Sequence, residues 1–318
     1  MPMLQRLGLF TEAERKTLGA IRRSVNTNGT ALYNLLHCVP ILEYMAESVG
    51  QSFQGKDVLE MGTTNPPGLP LALLLAGCNR YYGNNILDLD SRLPIEYAEV
   101  VNAIMSRMRR VDPGRLHDIL EIESQGSQRV AALREEVFQP FPRCPAERLS
   151  LPDACVDIVF SMSVMEHLEN TRAVLANLHR ILRPNGWSFH LIDLRDHKDF
   201  RKPLEFLKRD KSEHERMGGS FQNRLRAKDF LKLFDETGYR VDWVGYMPRP
   251  SSVVDSHTTD LFDMASTPVS EIYPHRSIDA IEPFIEDELF ASFHPDFRSK
   301  TRQELSVMGM CVACQRPG

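Results

Sequence analysis

A regular alternation of strand and helix patterns begins at residue 56 and constrains the fold more than any other feature of the sequence. KDVLEMG at 56–62 is a short apolar strand that ends in an acid and a glycine, and LPLALLLAG at 69–77 is a buried helix. NRYYGNNIL at 79–87 predicts the next strand. Strands that alternate with helices form parallel sheets with helical crossovers. The sequence therefore predicts an α/β fold with a doubly wound, mostly parallel sheet.

Residues 88–140 interrupt this alternation. Residues 95–110 and 126–138 have helical patterns and are separated by the turn VDPG, so we predict a helical insertion. The alternation resumes with strands over 156–162, 187–194 and 240–247 and helices over 170–182 and 227–239. The apolar run at 304–315 predicts a last strand.

Two further helices are predicted before the first strand. Thr11 and Glu14 have capping-box spacing at the start of a helix over 11–23, and leucines recur at helical spacing over 31–48, where Pro40 could introduce a kink. Residues 1–50 are therefore expected to be a helical lead. This lead either covers the sheet or forms a lid over a ligand.

Composition excludes several classes of protein. The chain has 318 residues with 38 Lys and Arg against 43 Asp and Glu, so a net charge of -5 gives no general attraction to nucleic acid or anionic membranes. No apolar run approaches the roughly 18 residues of a membrane span, and we expect a cytoplasmic protein. Cys311 and Cys314 would point to opposite faces of a strand, so no metal site is predicted.

Three segments in order resemble the class I S-adenosylmethionine-dependent methyltransferases, in particular a type 11-like small-molecule branch. They are VLEMGTTNPPG at 58–68, LSLPDACVDIVFSMSVMEHL at 149–168 and HRILRPNGWSFHLID at 179–193. The resemblance covers residues 56–245 and implies a Rossmann-like, seven-stranded sheet with S-adenosylmethionine as the cofactor. It divides the chain into the lead at 1–50 and a methyltransferase domain at 51–318, with the insertion at 88–140 and a C-terminal extension at 246–304.

The first segment departs from the glycine-rich loop of the family. Thr64 and Pro66 replace its second and third glycines, which makes the loop a poor pyrophosphate cradle and argues against a dinucleotide enzyme. S-adenosylmethionine has no phosphate, so hydroxyls and the remaining amides could hold it. The cofactor-binding candidates that the resemblance gives are Glu60, Gly62, Thr63, Thr64, Asn85, Ala146, Glu147 and Ser161.

Polar side chains follow the strands at 156–162 and 187–194. His167 follows the first, and Asp193, Arg195, Asp196 and His197 follow the second, at the edge where open parallel sheets bind ligands. An imidazole there could take a hydroxyl proton, and the cluster after the second strand could bind a polyhydroxylated acceptor or coordinate a divalent cation. A packing histidine and a solvated charge run are the plainer interpretations. The catalytic candidates are His167, His197 and Asp193, and the substrate-binding candidates are Arg195, Asp196, Asn223, Arg224 and Arg226.

The resemblance implies methyl transfer from S-adenosylmethionine to a hydroxyl of a small or sugar-like acceptor. The associated biosynthesis would be that of polysaccharides, glycosides or natural products. The departures at Thr64, Pro66, Asn85 and Pro145 keep an alternative open, in which a methyltransferase-like fold serves as a non-catalytic binding or partner subunit. A homo-oligomer or a complex with a partner subunit also stays open.

Overall fold

The structure is a computed structural model that describes residues 37–109, 111, 114–125, 128–216, 222–248 and 267–318. The predicted helix over 11–23 and most of the predicted lid lie outside these residues. Helix α1 (Val39–Ser48) is the described part of the lead, and seven of its ten residues are buried. Pro40 is in the first turn of this helix, where proline is tolerated, and the two residues before the helix, 37 and 38, are π-helical.

The described residues form ten strands in two sheets. In chain order they are β1 (Asp57–Met61), β2 (Arg80–Asn84), β3 (Arg92–Pro94), β4 (Leu120–Gln125), β5 (Gln128–Leu133), β6 (Phe138–Phe141), β7 (Val156–Met162), β8 (Leu182–Asp193), β9 (Arg240–Met247) and β10 (Gly309–Gln315). The main sheet has seven strands in the order β6, β2, β1, β7, β8, β10, β9. β10 is antiparallel to both of its neighbours, and the other paired strands are parallel.

Helices cover both faces of the main sheet. The other α-helices in the part of the chain that the structure describes are α2 (Gly68–Leu75), α3 (Ile95–Arg109), α4 (Arg115–Ile119), α5 (Thr171–Ile181), α6 (Lys211–Arg216), α7 (Ala227–Glu236), α8 (Val269–Ile272), α9 (Asp287–Ser292), α10 (Pro295–Arg298) and α11 (Arg302–Leu305). All eight residues of α2 are buried, as its uniformly apolar sequence predicts. Neighbouring residues of β1, Val58 and Leu59, belong to the two hydrophobic cores on opposite faces of the sheet.

The insertion differs from the helical prediction. Within the predicted helix at 126–138, the described residues 128–138 do not form a helix, because β5 pairs with β4 from Leu120↔Leu133 to Gln125↔Gln128 and with β3 on its other side. This pairing satisfies the backbone groups of a segment whose Ala, Leu and Arg content favours a helix, so tertiary contacts override propensity. The insertion therefore contains a three-stranded sheet, and its last strand, β6, belongs to the main sheet.

Within the C-terminal extension at 246–304, the described residues from 267 onward contain short helical segments. It leads into β10, which lies between β8 and β9. Among the described helices, none combines the length and apolarity needed to cross a bilayer.

Candidate active site

The direction of strand order reverses between β1 and β7. From β1 the sheet continues through β2 to β6 on one side, and from β7 it continues through β8 on the other. Ligands of doubly wound sheets bind outside the carboxyl ends of the strands at such a reversal. The segments after β1, β7 and β8 therefore border the expected crevice.

Gly62 joins two of these segments. Its φ of +88° lies in the left-handed region, and a Cβ added there would lie 2.3 Å from Cγ2 of Val164. The backbone N–H groups of Gly62 and Thr63 both donate to the carbonyl of Asn84, at 2.8 and 2.9 Å. The start of the loop is thus fixed between the ends of β2 and β7, and only glycine fits at its first position.

Glu60 points into the core rather than toward the crevice. The hydroxyl of Tyr81 donates to its Oε2 at 2.6 Å, and both side chains are fully buried. Burial raises the pKa of Glu60 to about 7, against the opposing hydrogen bonds from Tyr81 and Thr63. The Glu60 side chain can therefore support the loop after β1 from the core side.

The raised pKa of Glu60 predicts a pH-dependent effect of Glu60→Gln. The folded protein binds more protons than the unfolded chain between pH 4.5 and about pH 7, so this group makes stability fall as pH rises through that window. Glutamine cannot ionise and still accepts from Tyr81. We expect the variant to match the wild type near pH 4.5 and to exceed its free energy of unfolding by about 3 kcal/mol at pH 8. Urea unfolding across this range measures the difference, and a difference independent of pH would contradict the assignment.

The other cofactor candidates lie around the same edge. Asn85 donates from Nδ2 to the carbonyl of Thr63 and accepts the N–H of Leu87, so its side chain closes the loop. Cys144 N–H donates to the carbonyl of Asn85 at 3.0 Å, which ties the segment before the 3₁₀ turn Ala146–Arg148 to the end of β2. In that turn Ala146 is buried and Glu147 exposed.

Ser161 lies inside the sheet. Its hydroxyl is 2.7 Å from Nδ1 of His190, whose Nε2 is 2.7 Å from the hydroxyl of Ser188. Burial lowers the pKa of His190 to about 3, so the ring is neutral at pH 7. His190 is therefore a hydrogen-bonded core histidine, and the hydroxyl of Ser161 is one of its two hydrogen-bond partners.

The residues at this edge have the kinds of chemical group that can bind S-adenosylmethionine. The cofactor has no phosphate, and half-buried Thr64 and exposed Glu147 supply a hydroxyl and a carboxylate at the two sides of the crevice. The side chains of Glu60 and Asn85 are engaged elsewhere. Glu147 and the amide of Ala146 remain candidates for its polar ends, and Thr64 lies in the loop at the same edge.

The structure brings the three catalytic candidates together. The rings of His167 and His197 have centroids 4.8 Å apart, and Nε2 of His197 is 3.5 Å from Oδ2 of Asp193. His167 lies in the 3₁₀ turn Met165–His167 after β7, and Asp193 is the last residue of β8. Pairing of β7 with β8 accounts for this convergence.

Arg195 holds Asp193 in place. Its Nε and Nη2 donate to the two carboxylate oxygens at 2.9 and 2.6 Å, and its guanidinium lies 4.5 Å from the ring centroid of Phe200. Burial alone would raise the pKa of Asp193, but the hydrogen bonds from Arg195 and His197 keep it well below its usual range. Asp193 is thus ionised and rigidly placed beside the His197 ring.

Glu166 is a fourth member of this cluster, which the sequence-based candidates omit. It is 2% exposed, and its Oε1 accepts the backbone N–H of Asp193 at 3.3 Å. Burial and then the charge of Asp193 raise the pKa of Glu166 well above its usual range. A buried carboxyl next to two imidazoles is an arrangement typical of functional sites.

The predicted substrate-binding residues do not form one surface. Asn223 donates to the carbonyls of Met165 and Leu168, and Arg224 donates to the carbonyl of Arg209. Arg226 is fully buried. These side chains hold the loops that carry the cluster.

Arg195 and Asp196 are likewise 5% and 2% exposed, so the predicted charge run is folded inward. Oδ1 of Asp196 accepts the N–H of Lys198 at 2.9 Å. Gln222, which sequence reasoning missed, accepts the N–H of His197 and donates to the carbonyl of Arg195. No periodicity in the sequence marks this bridge, because its partners are 25 and 27 residues away.

A cavity of about 370 Å³ lies at the opposite edge of the sheet. It is bounded by α1, the segment before β1 and the end of α2, and Glu43, Gln54 and Arg115 line it. Since it lies away from the carboxyl ends of β1 and β7, we do not assign it to the cofactor.

Comparison with known proteins agrees with the topology. A family model described as a methyltransferase domain matches residues 117–190, which extend from α4 to β8. A search of curated proteins finds no match. The sheet, with its single antiparallel strand in the sixth position, is the Rossmann-like methyltransferase sheet. The match to this family model supports the resemblance to the class I S-adenosylmethionine-dependent methyltransferases over that part of the chain.

Similar solved structures are distant in sequence. Phosphoethanolamine N-methyltransferase 2 of Haemonchus contortus has 13% identity and a TM-score of 0.47, over 95% of this chain and 61% of its own. Geranyl diphosphate C-methyltransferase of Streptomyces coelicolor has 11% identity and a TM-score of 0.45, over 96% and 84%. The methyltransferase bound to the Trm112 activator of Haloferax volcanii has 13% identity and a TM-score of 0.45, over 99% and 98%.

Proposed function

We propose that this protein transfers the methyl group of S-adenosylmethionine to a hydroxyl of a small or sugar-like acceptor. The observation that carries the proposal is the convergence of His167, His197 and ionised Asp193 at the edge that borders the cofactor crevice. Oxygen is the acceptor atom that most needs such a group, because a neutral hydroxyl must lose its proton as the methyl arrives.

The residues of the cluster divide this work. S-adenosylmethionine supplies an activated methyl group when bound. The His197 ring accepts the hydroxyl proton, and the Asp193 carboxylate at 3.5 Å stabilises the imidazolium that forms. Arg195 fixes the carboxylate through two hydrogen bonds, so the ring is held in one orientation. The buried surroundings strengthen this charge interaction.

Replacing His197 with alanine tests the assignment. With tritiated S-adenosylmethionine and methyl glycosides or catechol as acceptors, we expect the wild type to place the label on oxygen. His197→Ala should lower kcat about a hundredfold or more while the KM for S-adenosylmethionine stays within about twofold. His117→Ala, an exposed histidine of α4, is the matched control and should keep wild-type kcat.

Two results would contradict this proposal. One is a methyl group found on carbon or nitrogen, or no transfer to any of the hydroxyl acceptors. The other is an unchanged kcat in His197→Ala, which would remove this ring from the chemistry.

A second candidate function has one specific observation in its favour. The amides of Gly62 and Thr63 share one carbonyl, and the side chain of Asn85 binds the loop rather than facing the crevice. A loop closed on itself in this way suits a methyltransferase-like binding or partner subunit. That candidate predicts negligible affinity for S-adenosylmethionine, whereas the catalytic proposal requires binding.

A further inference from the structure

Glu166, His167 and His197 have the geometry of a metal-binding set. Each offers one ligand atom, and these atoms all lie within 4.8 Å of one another. The three residues come from two loops that the adjacent strands β7 and β8 place side by side. Two imidazoles and one carboxylate are the ligand set of catalytic zinc and of other first-row metal sites.

An unpartnered oxygen supports this set independently of its spacing. Oε2 of Glu166 is buried and has no hydrogen-bond partner within the described residues, whereas Oε1 accepts from the backbone. Leaving a buried carboxylate oxygen without a partner is costly. A cation between Glu166 and the two rings would supply the missing partner.

The surroundings of His197 also match a metal ligand. Metal-bound histidines usually have a carboxylate beside the ring, which fixes its orientation. Asp193 lies 3.5 Å from Nε2 of His197, and Arg195 holds that carboxylate with both of its oxygens engaged. The backbone N–H of His197 donates to the side-chain oxygen of Gln222. Both the ring and its supporting carboxylate are therefore held in place from outside the set.

We propose that Glu166, His167 and His197 bind a divalent first-row transition metal ion of the Zn²⁺ type. Imidazole ligands favour such ions over Mg²⁺ and Ca²⁺, which prefer oxygen ligands. Tetrahedral Zn²⁺ places its ligand atoms roughly 3.3 Å apart, so small side-chain rotations close the set around the ion. Three protein ligands leave a fourth position open.

This open position gives the ion a role that rests on the proposed methylation of a hydroxyl and, with the metal bound, replaces proton acceptance by the His197 ring. The acceptor hydroxyl coordinates there, and the ion lowers its pKa, so that its proton leaves to water. The resulting oxygen forms a bond to the methyl carbon as the carbon–sulfur bond of S-adenosylmethionine breaks, and the electron pair of that bond stays on sulfur in S-adenosylhomocysteine. With the ion bound, His167 and His197 are ligands rather than bases.

Metal binding can be measured without activity. We expect the chelator-stripped protein to take up about one equivalent of Zn²⁺ in equilibrium dialysis, and Co²⁺ to give the visible absorption bands of a histidine-ligated site. Glu166→Gln and His197→Ala should each weaken binding at least tenfold, and Asp193→Asn, a positioning change, ten- to a hundredfold. Asp199→Asn, an acid in the same loop outside the set, and His117→Ala should bind as the wild type does. Circular dichroism establishes that each variant is folded.

Uptake below about a tenth of an equivalent would overturn the site, as would uptake that persists in both ligand variants. A titration of the metal-free protein with S-adenosylmethionine separates this proposal from the proposed function. Cofactor binding and transfer at the full rate without metal would refute the role of the ion and leave the methyl transfer standing. Metal binding without affinity for S-adenosylmethionine would leave the metal site standing and contradict the proposed methyl transfer.

Discussion

Replacing Arg226 with methionine is expected to lower the free energy of unfolding by about 3–5 kcal/mol. The guanidinium is fully buried and donates to three backbone carbonyls, those of Leu194, Leu305 and Val307, at 2.5, 3.0 and 2.5 Å. Methionine fills similar space but leaves these carbonyls without donors, at about 1–3 kcal/mol each before relaxation. Burial lowers the pKa of Arg226 to about 10, so the side chain stays charged at pH 7.

Chemical unfolding of Arg226→Met against Arg201→Met measures this effect. Arg201 is exposed and pairs with Asp199, so its loss should change stability by less than about 0.5 kcal/mol. Arg226→Lys should fall between the wild type and the methionine variant, because one ammonium cannot reproduce the guanidinium fork. A loss below about 1 kcal/mol in Arg226→Met would show that this residue does not join the end of β8 to the segment before β10.

Gly62→Ala has the second large expected effect. The new methyl group meets Val164 at 2.3 Å, and alanine is strained at a φ of +88°. Both segments that border the crevice must move apart. We expect a loss of about 2–4 kcal/mol in stability and at least a tenfold loss in affinity for S-adenosylmethionine.

Gly55→Ala is the matched control for this change. Gly55 has a similar φ of +70°, and nothing lies within 4 Å of the added Cβ. It should show only the cost of the backbone conformation, about 1 kcal/mol, with unchanged cofactor affinity. Equal cofactor affinity in Gly62→Ala and Gly55→Ala would mean that the contact with Val164 does not shape the crevice.

The parts of the fold that follow local patterns could be predicted from the sequence. The apolar runs predicted β1, β7 and β9 and the buried helix α2, because strand period and helix period are properties of neighbouring residues. β5 could not be predicted in this way. Its residues favour a helix, and its pairing with β4 and β3 is a tertiary effect.

The same distinction applies to the candidate active site: some of its contacts could be predicted from the sequence and others depend on tertiary structure. His167 and His197 follow adjacent strands, so their proximity could be predicted from strand order alone. The inward role of Arg226 could not, because its carbonyl partners Leu305 and Val307 are 79 and 81 residues away. Glu166 was adjacent to a predicted residue, but only burial shows that its carboxyl belongs to the cluster.

Isothermal titration of the wild-type protein with S-adenosylmethionine and with S-adenosylhomocysteine tests the central claim most directly. The proposed methyl transfer and the crevice at the ends of β1 and β7 predict one site per chain with a dissociation constant in the micromolar range, about -8 kcal/mol. Binding should weaken at least tenfold in Gly62→Ala and stay unchanged in Gly55→Ala. No heat of binding for either ligand, with the protein shown to be folded, would contradict the account and favour the non-catalytic subunit.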